Sequence, residues 1–221
     1  MGDLYVVATP IGNLEDITLR ALRVLQSVKL IAAEDTRHSR KLLNHYNIHT
    51  RLTSYHEHNK QTKTATLVDF LASGDLALIT DAGTPGISDP GYELITAAIE
   101  AGIRVVALPG ANAITTALSA SGLPTDAYRF YGFPPRKDGE LRQFLAARAE
   151  YPETLIFYES PNRLVKTLGV MREVLGDRQA VVGLELTKLF EEFARGTFSE
   201  LIVHFAREPI RGEVTLMVQG K

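Results

Sequence analysis

The chain has 221 residues, of which 45% are hydrophobic and 23% charged, and its formal net charge is −2. This composition predicts a globular protein of one large domain or two small ones, and it excludes both a disordered chain and a generally basic nucleic-acid-binding protein. The chain has no cysteine, which excludes disulfides, zinc-thiolate sites and a cysteine nucleophile. No apolar stretch reaches the ~18 residues of a membrane span, and the N-terminus does not resemble a signal peptide. We therefore expect a cytoplasmic protein with no membrane contact.

Short apolar runs, typical of buried strands, recur along the whole chain and end in polar or glycine-rich turns. Several of them, such as Leu76–Ile79, are apolar on both faces. Strands of this kind belong in parallel or mixed sheets that helices cover on both sides. The predicted strands are 4–8, 30–33, 76–79, 104–108, 128–133, 154–158, 180–186 and 214–218.

Helical patterns separate these strands. Asp16 or Thr18 is expected to cap the first helix, and Asp89, followed by Pro90 at the first helical position, is expected to cap a later one. The remaining helices are predicted at 62–72, from Asn112 to near Gly122, at 138–149, from Ser160 to Gly176, and at 198–205.

The alternation of strands and helices predicts an α/β fold with mixed, mostly parallel sheets. The turn Gly122–Thr125 lies near the middle of the chain and is the best candidate for a domain boundary. We therefore predict two α/β lobes, an N-terminal domain of residues 1–123 and a C-terminal domain of residues 124–221.

Polar or glycine-rich segments follow most of the predicted strands. In open α/β sheets, ligands gather at the carboxyl ends of strands, and glycines there let the backbone approach a ligand closely. A single loop of this kind is explained by the needs of a tight turn, but together they favour a binding site. The segments are Thr9–Asn13, Glu34–Arg37, Asp81–Gly86, Pro109–Asn112, Glu159–Pro161 and Glu185–Lys188.

The common nucleotide and hydrolase motifs are missing. No G-x-G-x-x-G follows a strand, and there is neither a G-x-x-x-x-G-K-[ST] nor a G-x-S-x-G segment. His56 and His58 have no partners at metal-ligand spacing, so no metal site is predicted.

The same segments carry a resemblance to a known family. Five of them, in order along nearly the whole chain, are similar to signatures of the ribosomal RNA small subunit methyltransferase I family. They are Thr9–Thr18 (TPIGNLEDIT), Glu34–Arg37 (EDTR), Asp81–Gly91 (DAGTPGISDPG), Phe157–Pro161 (FYESP) and Glu185–Lys188 (ELTK).

The resemblance implies the tetrapyrrole-methylase fold, in which two α/β lobes hold S-adenosylmethionine in a cleft between them. It also implies methylation of the ribose 2′-oxygen of a cytidine in the decoding region of 16S rRNA, within the 30S subunit, and a homodimer. Many relatives carry a further C-terminal segment. If that segment helps to hold the ribosome, we expect this chain to bind the cofactor but to methylate its substrate poorly.

The resemblance also implies the cofactor contacts. In the first half these are Ile11, Asp81, Gly83, Thr84 and, at the following helix start, Ala113. In the second half they are Tyr158, Leu186 and the segment around Thr215.

Catalytic roles fall to the charged residues at strand ends. A ribose hydroxyl is a poor nucleophile, so a base or a cation that stabilises the developing alkoxide is expected to help. Asp35 or Glu185 is predicted to take the proton, and Arg37 and Lys188 to stabilise the alkoxide or bind phosphate. Glu34 and Glu159 belong to the same group of strand-end charges, and ion pairs between the lobes are a competing interpretation for all of them.

Two other functions stay open at the level of sequence. A methyltransferase acting on a tetrapyrrole or another small molecule would use the same scaffold. A non-catalytic RNA-binding module would need only basic patches, for which the chain offers two groups, one at residues 37–41 and one formed by Arg129, Arg136, Lys137, Arg142 and Arg148. The constellation of strand-end loops argues against this last possibility.

Overall fold

The computed structural model describes residues 2–221, and the chain divides into two compact units, Met1–Asn112 and Ala113–Lys221. The predicted boundary lay after residue 123, so the two divisions differ in the placement of one helix, α5 (Ala113–Ser121). That helix contacts strands of the second unit, which is why it groups there.

Unit one is a parallel five-stranded sheet covered by helices on both faces. The strand order is β3-β2-β4-β1-β5, and all four neighbouring pairs are parallel. The strands are β1 (Leu4–Val7), β2 (Leu30–Ala33), β3 (Leu52–Ser54), β4 (Leu76–Ile79) and β5 (Val105–Leu108). The helices are α1 (Leu19–Ser27), α2 (Thr36–His45), α3 (Lys60–Leu71) and α4 (Tyr92–Glu100).

The two faces of this sheet form separate cores because successive side chains of a strand point to opposite faces. One face packs against α1 and α2 through residues such as Ile31 and Leu43. The other packs against α3 and α4 through residues such as Leu78 and Leu94. Both faces are covered, which explains why β2 and β4 are apolar throughout.

Unit two is built around a mixed sheet in the order β6-β7-β10-β8-β9. Only β6 and β7 are parallel, and the other three pairs are antiparallel. The strands are β6 (Tyr128–Phe130), β7 (Thr154–Glu159), β8 (Gln179–Leu184), β9 (Glu192–Thr197) and β10 (Val214–Val218). The other helices are α6 (Asp138–Ala146), α7 (Leu164–Leu175) and α8 (Phe198–Phe205).

The α/β class and the two lobes are confirmed. The predicted helix caps agree with the structure in one case and differ in another. Thr18 caps α1 as predicted, its hydroxyl accepting a hydrogen bond from the Ala21 N–H at 3.0 Å. The expectation that Asp89 caps the helix carrying Pro90 was wrong, because α4 begins at Tyr92 with Gly91 as its N-cap. The Gly91 backbone has φ +154°, and a Cβ there would stand 2.9 Å from the Gly86 nitrogen, so this close turn requires glycine.

Candidate functional site

The candidate site of unit one lies at the carboxyl ends of its strands, which meet at one edge because the sheet is parallel. The chain leaves β1 for α1 on one face, and it leaves β4 for α4 on the other. Such a divergence between neighbouring strands opens a crevice at the sheet edge, where α/β proteins bind ligands.

The loops after β1 and β4 are hydrogen-bonded to each other at this crevice. Thr9 and Gly83 exchange two backbone hydrogen bonds of 2.9 Å, and the Thr9 hydroxyl donates to the Thr80 carbonyl at 3.0 Å. Gly83 adopts φ +77°, and a Cβ built there would stand 3.5 Å from Cγ2 of Ile11. The glycine therefore allows the left-handed turn and leaves the apolar side chain of Ile11 beside the loop.

Thr84 belongs to the loop Asp81–Gly86, which we call the glycine-rich loop, and it is hydrogen-bonded to the turn after β5. Its hydroxyl donates to the Ala111 carbonyl at 3.2 Å and lies 3.4 Å from the Asn112 amide nitrogen. The structure thus brings together four residues that the sequence predicted as cofactor contacts, namely Ile11, Asp81, Gly83 and Thr84. Ala113, the fifth, is the first residue of α5.

The carboxylates of Glu34 and Asp81 both accept backbone hydrogen bonds between the ends of β2 and β4. The Asp35 N–H donates to the Asp81 carboxylate at 3.1 Å, and the Asp81 N–H donates to the Glu34 carboxylate at 3.4 Å. Burial raises the pKa of the Glu34 carboxyl above its usual range, and the neighbouring Asp81 charge adds to this shift, while the hydrogen bond from Asp81 opposes it. A carboxylate with a raised pKa is better matched to proton transfer near neutral pH.

His56 lies beside this pair. It acts electrostatically on Glu34, and its Nε2 is 3.2 Å from the Asn59 amide nitrogen. Its Nδ1 is buried and has no hydrogen-bond partner within residues 2–221. A buried polar atom without a partner is costly.

Asp35 and Arg37, two of the predicted catalytic residues, form a local pair. The Asp35 carboxylate caps α2 by accepting from the Arg37 N–H at 2.8 Å, and it also pairs with the Arg37 guanidinium at 3.1 Å. The hydrogen bonds from Arg37 lower the pKa of Asp35 to about 2. Asp35 is therefore a weak base, so Glu34 is the better candidate for the residue that accepts the proton.

Apart from Ala113, the predicted cofactor contacts of unit two lie on or just after three neighbouring strands, β7, β10 and β8. Tyr158 on β7 is the register partner of Thr215 on β10, and its ring packs 4.9 Å from that of Phe130. Leu186, the second residue after β8, is buried. A Cβ at Gly183 would stand 3.0 Å from Cδ2 of Leu186, so this glycine lets the leucine fold back over its own strand.

Glu185 and Lys188, the other predicted catalytic pair, lie in a strained loop after β8. Glu185 and Thr187 have left-handed backbones, with φ +49° and +65°, which non-glycine residues rarely adopt. Lys188 Nζ pairs with Glu185 at 2.8 Å and with Glu213 at 3.0 Å. The hydrogen bond from Lys188 lowers the pKa of Glu185, so this carboxylate is also a weak base.

The unit-one edge has the groups that S-adenosylmethionine needs. That molecule carries a carboxylate, an ammonium group and a sulfonium, and its adenine is apolar on both faces. Asp81 can face positive charge, the backbone N–H groups of the glycine-rich loop can face the carboxylate, and Ile11 supplies an apolar wall. These residues fit the cofactor.

Residues 2–221 contain no cluster of metal-binding side chains, and no helix among them is long and apolar enough to cross a membrane.

Comparison with known proteins gives a consistent result. The sequence profile of the Tetrapyrrole (Corrin/Porphyrin) Methylases matches residues 3–202. The chain is 56% identical over 221 residues to the ribosomal RNA small subunit methyltransferase I of Halalkalibacterium halodurans, covering 99% of this chain and 76% of that protein. It is 52% identical to the protein of the same name from Bacillus subtilis, covering 100% of this chain and 76% of that protein. The crystal structure of a diphthine synthase superposes with a TM-score of 0.78 at 13% identity, covering 99% of this chain and 90% of that one.

Proposed function

Because this chain belongs to the tetrapyrrole methylases and, within them, to the ribosomal RNA small subunit methyltransferase I family, we propose that it methylates ribosomal RNA with S-adenosylmethionine as donor. The observation that carries this proposal is 56% identity to a relative of that name across nearly the whole chain. We propose further that the acceptor is the ribose 2′-oxygen of a cytidine in the decoding region of 16S rRNA, presented by the 30S subunit. A substrate of this kind would place the reaction in the cytoplasm.

Glu34 is the base we propose for this reaction. When bound, S-adenosylmethionine supplies an electrophilic methyl group on a positively charged sulfur. Glu34 would take the proton that the acceptor hydroxyl releases and hold it on its carboxylate, whose pKa is raised by burial. The Asp81 backbone N–H keeps that carboxylate in place.

The other strand-end residues have supporting roles in this proposal. Ile11, Asp81, Gly83 and Thr84 are proposed to hold the cofactor in unit one. The contacts expected from Ala113, Tyr158, Leu186 and Thr215 stay a prediction. Arg37 and Lys188 are proposed to bind phosphate, and Asp35 and Glu185 to position these two cations through their ion pairs.

The test is transfer of a labelled methyl group to 30S particles, followed by nuclease digestion and nucleoside analysis. We expect the label on 2′-O-methylcytidine, because the proposed site activates a hydroxyl and not a ring atom. Purified 50S particles and an unrelated RNA serve as matched acceptors and should remain unlabelled. Label on a base, or equal labelling of unrelated RNA, would contradict the ribose assignment. Transfer to a tetrapyrrole acceptor with none to 30S particles would favour the small-molecule alternative.

We also propose a homodimer. Large apolar side chains are exposed on both units, among them Tyr92 (71% exposed) and Ile99 (60%) on α4 and Phe190 (78%) after β8. A two-fold interface would bury such side chains. Light scattering over a dilution series should give about twice the chain mass of 24.3 kDa, and a stable monomer at micromolar concentration would refute the dimer.

A further inference from the structure

The segment from Thr36 to His56 is basic and contains no acidic residue. It contributes Arg37, Arg40, Lys41 and Arg51, and five of the six histidines of the chain lie between residues 38 and 58. The chain as a whole carries a net charge of −2, so this segment is a local concentration of positive charge.

The fold gathers part of this segment around one surface cavity. Helix α2 and edge strand β3 are in contact, and between them lies a cavity of about 390 Å³. Its polar lining includes Arg40 and Asn44 on α2 and, in the loop that precedes β3, His49 and Arg51. All four side chains are exposed, and their N–H groups are suited to phosphate oxygens.

The loop that closes the cavity is fixed in place. The Ile48 N–H donates to the Leu43 carbonyl at 2.8 Å, and the Thr50 hydroxyl donates to the Leu25 carbonyl at 2.6 Å. Leu43 and Ile48 are buried beneath. The cavity is therefore formed before any ligand arrives, which lowers the entropy cost of binding.

The cations of this surface are not neutralised. Arg40, Lys41 and Arg51 form no ion pair with any residue in the range 2–221. In the second basic group of the chain, by contrast, three of the five cations form ion pairs. Arg129 pairs with Glu153, Lys137 pairs with Glu140, and Arg142 pairs with both Asp138 and Glu173.

Helix α2 connects the candidate site, at the carboxyl ends of the strands, with this basic surface, whose loop precedes β3 and therefore lies toward the amino ends of the strands. Helix α2 begins directly after Glu34 and Asp35, and Ser54 at the end of β3 is the register partner of Ala33 at the end of β2. Going along α2 from its first residue therefore leads from the proposed base to the cavity. A strand whose acceptor ribose reached Glu34 would meet Arg37 in the first turn of α2, and farther along the helix it would reach Arg40 and this surface.

We propose that the surface formed by Arg40, Lys41, His49 and Arg51 binds the phosphodiester backbone of the RNA strand that carries the acceptor nucleotide. The proposal rests on the proposed function and names the part of unit one that holds the substrate. Backbone contacts of this kind give affinity that falls steeply with salt and carries no sequence information. Selectivity would then come from the shape of the 30S particle and from the 2′-hydroxyl itself.

The test compares the wild-type protein with the double variant Arg40→Ala/Arg51→Ala. Binding of each to purified 30S particles is measured by fluorescence at several salt concentrations between about 50 and 200 mM. Loss of two phosphate contacts should lower the slope of log K against log salt by about 1.4–1.8 and weaken binding at physiological salt roughly tenfold or more. Affinity for S-adenosylhomocysteine and the melting temperature should stay at the wild-type values, since both side chains are exposed.

The matched control is Lys137→Ala/Arg142→Ala, which also removes two positive charges, but from residues that already form ion pairs at the N-cap of α6 and on α6 itself. It should leave the salt slope unchanged. If Arg40→Ala/Arg51→Ala binds 30S particles with the wild-type slope, the docking surface is refuted while the proposed function stands. If the wild-type protein itself neither binds nor methylates 30S particles, the proposed function fails. Equal losses in both double variants would mean that only net charge matters, and this too would overturn the proposal.

Discussion

Glu34→Gln is expected to lower the rate of methyl transfer by about 10²–10⁴-fold, the usual contribution of a positioned general base. The amide keeps the shape of the side chain and can still accept the Asp81 N–H, but it cannot take a proton. Affinity for S-adenosylhomocysteine should change little, because the variant alters proton transfer and not the cofactor loops. Single-turnover methylation of 30S particles and calorimetry with S-adenosylhomocysteine measure the two effects separately.

The pH dependence of the methyl-transfer rate is a second test of Glu34 as the general base. A base works only when it is deprotonated, so the wild-type rate should be low at acid pH and rise as pH passes through the pKa of Glu34. Burial raises that pKa, so the rise should come at higher pH than for an ordinary glutamate. Glu34→Gln should remove this rise.

Asp35→Asn is the matched control for this experiment. It changes a neighbouring carboxylate whose pKa is about 2 because of Arg37, so Asp35 stays ionised over the range of the assay. The variant should keep the acid limb of the wild-type profile, and it should also keep the α2 cap, because an asparagine side-chain oxygen can still accept the Arg37 N–H. An acid limb that disappears in Asp35→Asn and persists in Glu34→Gln would assign the proton to Asp35.

Thr84→Trp is expected to weaken binding of S-adenosylhomocysteine by roughly 100-fold. Thr84 is half-buried between the glycine-rich loop and the turn after β5, where its hydroxyl donates to the Ala111 carbonyl. An indole there would fill the space beside Gly83 and separate the two loops, and overpacking of this kind costs ~1–3 kcal/mol. Isothermal titration calorimetry measures the loss directly.

Thr84→Ser is the control for this variant. Serine keeps the hydroxyl that joins the two loops and adds no volume, so cofactor affinity should stay within a few fold of the wild type. Wild-type affinity in Thr84→Trp, with the protein folded, would remove Thr84 from the cofactor site.

Most strands could be predicted from the sequence because they are buried. β2 and β4 are apolar on both faces, which gives a continuous apolar run. The two strands that sequence analysis missed, β3 and β9, are edge strands with no fully buried residue. β9 also contains Gly196 and charged residues at Glu192 and Arg195, so its sequence resembles a loop. Edge strands form because a neighbour offers hydrogen bonds, and their own sequences need not show it.

The N-terminus of α4 shows a different limit of sequence reasoning. Asp89–Pro90 is a good helix-start signal, but the backbone continues as a turn until Gly91. The close approach of Gly91 to Gly86 determines where the helix begins, and that approach depends on how the whole glycine-rich loop is folded. A local propensity rule therefore placed the start two residues too early.

For the site, the sequence identified the segments but could not rank the carboxylates within them. Glu34 and Asp35 are adjacent and both follow β2. They differ because Asp35 receives the Arg37 guanidinium, whereas Glu34 turns toward Asp81 at the end of another strand. Desolvation and contacts between distant residues decide the pKa, and neither is visible in a local motif.

The position of β10 has a consequence for how the protein is synthesised. The first unit closes its sheet with β5, so all its strands and both its cores are available before the second unit is made. The second unit differs, because β10 is its last strand in the chain and the central strand of its sheet, between β7 and β8. Until the ribosome has added Val214–Val218, β7 and β8 have unpaired edges that can associate with other chains. During translation, the nascent chain is therefore most exposed to aggregation late, after its first half has already folded.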